Sequence, residues 1–427
     1  MNTLEIRPYF LAGFFVSAAS VSMAQQTEQQ KTVTETDSWR DRATLTGDWG
    51  GARTELQDKG FTIESRLSQF YQGQMSGGGD NGWEYSGKLD LQVRTDLAKL
   101  GFWKGSSFTI KGEYNFGQSL NGVGGVIAPV NSALYFPGID GSDAYDISSF
   151  YFGQKVNEEL SLLVGKINMI DLAASKPFMG GAGIDGFWNI TFVAPPSGLV
   201  PPYLLGAIMS YKTDAANYGL WIYDPQDVVN RSGLEDAFSE GVTLRANVDI
   251  PVNIGGLPGH QGFTVLYSTF DGTNLEDPEL ELPELPAGTP NTKSERYYFA
   301  YTFDQTLFQR GGKSKEGMGV FGQIGVSDGN PTRLYWSALA GISGRGMILP
   351  GRTDDNWGVG VYYDAISPHL IDAVAPQLKV TDESGIEFFY NWAITPNINL
   401  GVDLQVINPS LSSEQSVFLG TRLVVRF

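Results

Sequence analysis

Residues 416–427 read Ser-Val-Phe-Leu-Gly-Thr-Arg-Leu-Val-Val-Arg-Phe. Taken every second residue from Phe427, one face carries Phe427, Val425, Leu423, Thr421, Leu419 and Val417. The other carries Arg426, Val424, Arg422, Gly420, Phe418 and Ser416. A period of two is a strand between two environments. One face is apolar but for a threonine, and the other holds two arginines. A soluble edge strand at a terminus frays or is blunted with charge. A closed barrel resolves the pattern, because its last strand pairs with its first and lipid bathes the apolar face.

Alternation of the same kind recurs upstream. Leu89, Leu91 and Val93 alternate with Lys88, Asp90, Gln92 and Arg94; Val242, Leu244, Ala246, Val248 and Ile250 alternate with Thr243, Arg245, Asn247 and Asp249. Ile398, Leu400, Val402, Leu404 and Val406 alternate with Asn399, Asp403 and Gln405. We read strands at 61–75, 83–97, 105–118, 143–156, 160–170, 203–213, 218–224, 240–250, 260–270, 295–305, 317–327, 333–344, 355–365, 384–395, 398–407 and 416–427. The register of 143–156 and 160–170 does not follow from the pattern. Connections after odd-numbered strands are mostly long, as in 119–142, 171–202 and 271–294. Those after even-numbered strands are short, as in 157–159, 214–217 and 395–397, with 251–259 among the longer. Long outer loops over short periplasmic turns define the expected fold class: an all-β, sixteen-stranded antiparallel transmembrane barrel over 61–427.

Composition agrees. The 427 residues include 53 Gly, 25 Phe, 19 Tyr and 9 Trp, which suits many turns and aromatic girdles. The excess of 47 acidic over 29 basic residues excludes a basic footprint, so no nucleic-acid partner is expected. There is no cysteine, hence no disulfide framework or thiolate metal site. Arg7, the apolar run Tyr9–Ala19 and Ser22-Met23-Ala24 read as a signal peptide over 1–24. Residues 25–60 read as a periplasmic segment with one short helix near 51–59, Asp48 as its cap and Gly60 as its stop.

Within that segment, Leu45-Thr46-Gly47-Asp48-Trp49-Gly50-Gly51-Ala52-Arg53, followed by Leu56, Lys59 and Gly60, resembles the N-terminal hallmark of the OprB-type carbohydrate-selective porins. Ser119-Leu120-Asn121-Gly122-Val123-Gly124, and Leu163-Val164-Gly165-Lys166 followed by Asp171, are similar echoes. The resemblance spans the mature chain in architecture, with its sharp motifs in the first half. It implies a sixteen-stranded outer-membrane barrel for diffusive sugar uptake. The first motif implies a structural role at the periplasmic mouth, not a sugar site. The resemblance to outer-membrane barrels also implies that Phe427 is an address for the barrel-assembly machinery.

The longest connection, 171–202, contains Gly180-Gly181-Ala182-Gly183, Phe187-Trp188, Pro195-Pro196 and Pro201-Pro202. Loops of this length in compact folds are usually functional. We expect it inside the barrel as a constriction; the other reading packs it on its own aromatics at the mouth. Strand phases turn charges toward the lumen: Arg66 with Glu64, Arg94 with Asp90 and Asp96, Lys111 with Glu113, Arg245 with Asp249, and Arg422 with Arg426. Guanidinium and carboxylate groups hold a fan of sugar hydroxyls, and aromatic faces cover the C–H side of a pyranose. The expected substrate site is therefore Glu64, Arg66, Asp90, Arg94, Lys111 and Glu113 on the strands, with Phe187 and Trp188 on the loop. The plainer reading is that these pairs satisfy one another in a polar lumen.

Catalysis has little support. The two histidines, His260 and His369, fall in or beside connections at opposite ends of the barrel, too far apart for a shared metal or triad. Glu158-Glu159 and Asp354-Asp355 fall in turns, and Gly77-Gly78-Gly79 lacks a phosphate-loop context. The acidic stretch Asp271–Glu284 lacks calcium-loop spacing and reads as a solvated outer loop. No enzyme, metal or cofactor is expected. The expected function is passive diffusion of small carbohydrates, a monosaccharide such as glucose first, across an outer membrane whose lipid and lipopolysaccharide surround the barrel. A cation-preferring porin is the first rival and a secreted β-rich glycosidase the second. Homo-oligomerisation stays open.

Overall fold

The computed structural model describes residues 38–79, 82–138, 143–277, 291–311, 315–375 and 378–427. The signal peptide read at 1–24 lies outside them, as does the second half of the acidic stretch at 271–284.

The main sheet comprises β1 (Phe61–Ser76), β2 (Trp83–Asp96), β3 (Ser106–Gly117), β4 (Ala144–Lys155), β5 (Leu160–Asn168), β6 (Tyr203–Lys212), β7 (Asn217–Tyr223), β8 (Thr243–Ile254) and β9 (Leu257–Ser268). A two-residue pair, β10 (Gly272–Thr273) with β11 (Thr292–Lys293), stands apart in the next outer loop. The sheet resumes with β12 (Arg296–Gln309), β13 (Gly317–Ser327), β14 (Leu334–Arg345), β15 (Asn356–Ile366), β16 (Glu383–Thr395), β17 (Ile398–Asn408) and β18 (Ser416–Arg426). These sixteen strands form one closed antiparallel barrel in chain order, with β18 returning to β1. The seam runs from Arg66 opposite Arg426 to Gln74 opposite Phe418, and the Phe427 N–H donates to the Ser65 carbonyl at 2.9 Å. Closure leaves no open edge, the only way a sheet satisfies its backbone in lipid.

The two faces of β18 lie as the alternation requires. Arg422, Val424, Phe418 and Ser416 are buried inside, while Leu419 is exposed outside. The same holds around the wall, where Leu91, Leu220, Ile222, Val265, Ile324, Val361 and Leu404 form an exposed apolar belt. Aromatic contacts such as Tyr71 on Trp83, 4.9 Å apart, fall near the strand ends, where girdles belong. Among the described residues no helix is long and apolar enough to cross a membrane; the strands make the crossing.

Two departures from the sequence reading have local causes. The turn expected over 251–259 is only Gly255 and Gly256, both at positive φ (64° and 84°), the geometry a two-residue hairpin turn requires. Pro251 continues the strand and is tolerated because β7 stops pairing at Asn217 opposite Asp249, so no neighbour on that side seeks its missing N–H. His260 therefore lies in β9, near its periplasmic end, and not in a connection. In β4 the register shifts opposite Lys111 and Gly112, leaving Ser148 and Ser149 both buried in sequence. A bulge of this kind breaks the alternation and explains why no register could be read there.

Before β1, helix α1 (Ala52–Asp58) sits at the periplasmic end. Its N-cap is Gly51, while the Asp48 carboxylate reaches in to accept from the Thr54 N–H at 2.9 Å. Arg53 lies over the Trp49 ring at 4.3 Å, and the Leu45 N–H donates to the Arg426 carbonyl at 2.7 Å.

Leu220→Arg places a charge on the outer face of β7, at a cost of about 2–4 kcal/mol near the bilayer midplane. Urea titration in vesicles should show an unfolding free energy lower by that amount, and a correspondingly lower midpoint. An unchanged midpoint would mean that this face does not meet hydrocarbon.

Candidate functional site

Two outer connections turn inward and stack on each other in the lumen. The longer, 169–202, begins with helix α2 (Met169–Ala173), whose N–H groups at Ile170 and Asp171 are capped by the Asn168 side chain at 3.0 and 3.3 Å. It continues through the glycine run to helix α3 (Ile190–Val193), capped by Asn189 on the Thr191 N–H at 3.0 Å. The second is the stretch after β3. It meets the first through Ser132 N–H to Trp188 carbonyl at 2.8 Å and Ile190 N–H to Pro129 carbonyl at 3.0 Å. The expected inward fold of 171–202 is thus present. The sequence reading gave 118–138 no part in the constriction, although it too holds an aromatic pair, Tyr135-Phe136.

On the side of β16, β17 and β18, wall side chains bind the backbone of these loops. Glu387 accepts the Trp188 and Asn189 N–H groups at 2.5 and 3.0 Å. Glu383 accepts those of Ile127 and Ala128 at 2.7 and 3.0 Å. Arg422 donates to the Gly183 and Gly186 carbonyls at 2.7 and 3.1 Å and to Asn391 at 2.8 Å. Its guanidinium also lies 4.9 Å from the Trp188 ring. The sequence reading paired Arg422 with Arg426; the structure gives Arg422 to the loop.

Across the seam, β1 to β3 continue the same wall and carry a ladder of alternating charge. Arg66 meets Asp90 at 2.9 Å and Asp185 at 3.5 Å. Lys111 meets Glu113 at 2.7 Å, Asp171 at 2.7 Å and Asp90 at 3.4 Å. Lys88 meets Glu113 at 3.0 Å, and Arg426 pairs with Asp185. Tyr203 donates its hydroxyl to Glu113. Four cations thus face four carboxylates, and the cluster is neutral as a whole. The space it shares with the loops amounts to about 10 Å³, room for about one water.

These placements sort the expected site residues. Arg66, Asp90, Lys111 and Glu113 are brought together. Asp90, Lys111 and Glu113 are buried, so they brace the wall instead of offering atoms to a solute. Arg66 keeps 22% of its side-chain surface. Glu64 and Arg94 lie one and two steps nearer the periplasm, Glu64 accepting from Gln92 at 3.2 Å and Arg94 standing opposite Thr62. The expected pairs Arg66–Glu64 and Arg94–Asp90 are replaced by Arg66–Asp90, because antiparallel register sets Arg66 directly opposite Asp90.

Phe187 and Trp188 require a correction. Both are 0% exposed. Phe187 packs against Phe192, Phe389 and Phe321, with ring centroids 4.6, 4.8 and 5.6 Å apart. Trp188 packs edge-on to Phe70 at 5.3 Å. Apolar rings on an inward loop gain more by filling the gap between loop and wall than by facing a wet passage. They hold the constriction; no sugar can stack on them as they lie.

The sequence reading missed Asp185 as a site residue and gave Asp171 no part in the site. Both are loop carboxylates, 43% and 33% exposed, reaching across to the wall. Asp185, in Gly183-Ile184-Asp185-Gly186, stands among small residues with no strand phase to indicate its direction. Nearby, desolvation pushes the Lys176 ammonium down to about 8, so this loop cation gives up its charge just above neutral pH. His260 bonds Asp304 at 3.0 Å and His369 meets Glu276 at 3.3 Å, each in its own pairing.

A closed sixteen-stranded barrel with an apolar belt and a loop anchored across its lumen is an outer-membrane porin. The family described as carbohydrate-selective porin, OprB family, matches residues 80–427, and the chain belongs to it. Among solved structures, Pseudomonas putida OprB at high pH is similar with a TM-score of 0.77 at 19% identity, over 92% of this chain and 100% of that one. The low-pH structure of the same protein gives 0.56 at 17%, over 91% and 99%. At such identity the likeness is one of fold. No curated protein matches. The chain is a channel and not an enzyme, which removes the glycosidase reading.

Arg422→Ala should free two loop carbonyls and leave them buried and unpaired, at roughly 2–4 kcal/mol. Single-channel conductance in planar bilayers should rise and become noisier as the loop loosens. Trp188→Ala should act in the same direction. Wild-type conductance in both variants would show that the loop is held elsewhere.

Proposed function

We propose that this porin admits small carbohydrates by passive diffusion, with a monosaccharide such as glucose preferred, and that Arg66, Asp171 and Asp185 carry its sugar contacts. The observation that carries the reading is the neutral ladder. A general cation-preferring pore would present a ring of one sign. Here each cation already has a carboxylate partner, and the lining offers paired donors and acceptors, which suit uncharged hydroxyls.

The pairs differ in how readily they exchange. Lys111–Glu113 and Lys88–Glu113 are buried, and separating them would strand a charge in a poor solvent. Lys111 is buried too, and its bond to Asp171 belongs with these braces. Arg66–Asp185, at 3.5 Å, joins two side chains that both keep exposed surface. Ion pairs exposed to water contribute about 0–1 kcal/mol, so sugar hydroxyls can replace this one with charge-assisted hydrogen bonds at little net cost. The cleft then widens while the buried pairs keep the wall in place. Binding by such an exchange is weak, as a channel that must release its solute requires. Glu64 and Arg94 extend the polar track toward the periplasm.

Liposomes carrying the protein should swell faster in glucose than in a neutral amino acid of similar size. Asp185→Asn keeps the shape but removes the charge that competes for Arg66, and should change glucose block of the ion current by about threefold to tenfold, the scale of one such hydrogen bond. Equal swelling in all solutes, with strong cation selectivity in a potassium chloride gradient, would replace this reading with the cation-preferring one. The net charge of -18 is the observation that favours that rival.

For its partners, the exposed apolar belt suits outer-membrane lipid, with lipopolysaccharide outside. Phe427, bonded through its N–H to β1 at the seam, suits recognition by barrel-assembly machinery. Phe427→Ser should lower the heat-modifiable, folded fraction in outer membranes on an unboiled gel. An undiminished folded fraction would remove Phe427 from that role.

A further inference from the structure

Beneath the loop, at the periplasmic end of β12 to β15, lies an open cavity of about 460 Å³. That is within the range of sites that take small ligands. Its apolar lining comes from Phe178, Met179, Phe308, Met318, Trp357 and Phe389. Asp185 stands at its margin and also bonds Arg66 and Arg426 across the cleft. One carboxylate thus joins the polar ladder to an apolar chamber.

The chamber wall is built with some strain. Phe178 has a φ of +63°, a left-handed conformation that bulky residues avoid. Its carbonyl is pinned by the Ser343 hydroxyl at 2.6 Å. Its ring lies so close to Gly319 that a Cβ there would come within 2.3 Å of it. The Trp357 indole is oriented by its N–H bond to the Gly346 carbonyl at 2.9 Å. Strain and two side-chain bonds hold these rings at the wall of a cavity that would otherwise expose apolar surface inside a polar lumen.

We propose that this cavity is an exit-side subsite for the apolar aglycone of an aryl glycoside whose sugar ring is held at Asp185. The inference rests on the sugar reading of Asp185 and extends it to a second class of solute. An aromatic group fits the lining better than an alkyl chain does, because rings and methionine sulfur both make directional contacts with another ring. Arg345, at the rim, is paired with Asp354 at 2.7 Å, so it does not call for an anionic ligand. Phenyl glucoside would place its hydroxyls on Asp185 and Arg66 and its ring against Phe178 and Met179.

The test is current block in planar bilayers by glucose, methyl β-glucoside and phenyl β-glucoside. In the wild-type channel, phenyl glucoside should half-block at a concentration about tenfold lower than methyl glucoside, the factor expected from burying part of a ring. Phe178→Asn removes the ring while tolerating the left-handed backbone, and Met179→Ala gives a second variant without that backbone demand. Both should bring the ratio of phenyl to methyl glucoside toward one. Equal block by the two glucosides in the wild type, or a ratio unchanged in both variants, would overturn the subsite. Block by phenyl glucoside alone, with none by glucose, would leave the cavity occupied as proposed and sink the sugar contacts at the ladder. No block by any of the three would end both.

Discussion

Irregular backbone inside a membrane barrel must find hydrogen-bond partners, and in this protein the wall supplies them. Each inward loop presents N–H and carbonyl groups that no strand can pair. Glu387, Glu383 and Arg422 satisfy six of these loop groups, and Arg422 also donates to Asn391 on β16. The aromatic filling by Phe187, Phe192 and Trp188 follows from that anchoring, since the rings can pack only once the backbone is fixed against the wall.

Anchoring on one side of the seam determines what the loops present to the strands just beyond it. With the loops tied to β16, β17 and β18, their carboxylates Asp171 and Asp185 are carried toward β1 to β3. There they add a second acceptor to Arg66 and a third to Lys111, which already meet wall carboxylates. Burial then divides the ladder in two. Its inner pairs are structural, because breaking them strands charge. Its outer pair, Arg66–Asp185, is open to water, which competes for it. In the function proposed here, selectivity for uncharged, hydroxyl-rich solutes follows from this division.

Much of the fold was legible because a strand has only two faces. Leu220 and Ile222, or Arg422 and Val424, are assigned to lipid or lumen by parity alone. Parity fails where a residue is added, as at Ser148. It also gives the direction of a lumen charge without naming its partner. Arg66 was placed inward correctly, yet its partner is Asp90 across the strand pair and not Glu64 on its own strand.

The period of two, the alternation of long and short connections and the apolar terminal face therefore determined by themselves that this chain is a sixteen-stranded barrel, because lipid on one side and water on the other leave each strand position only two outcomes. The tertiary structure alone decided that Phe187 and Trp188 are buried anchors, that Lys111 and Glu113 are braces, and that Asp185 faces the passage. Loop residues have no such parity. Their direction is set by which wall groups satisfy the loop backbone, and those groups, Glu387 on β16 and Arg422 on β18, lie 198 and 236 residues away in the chain.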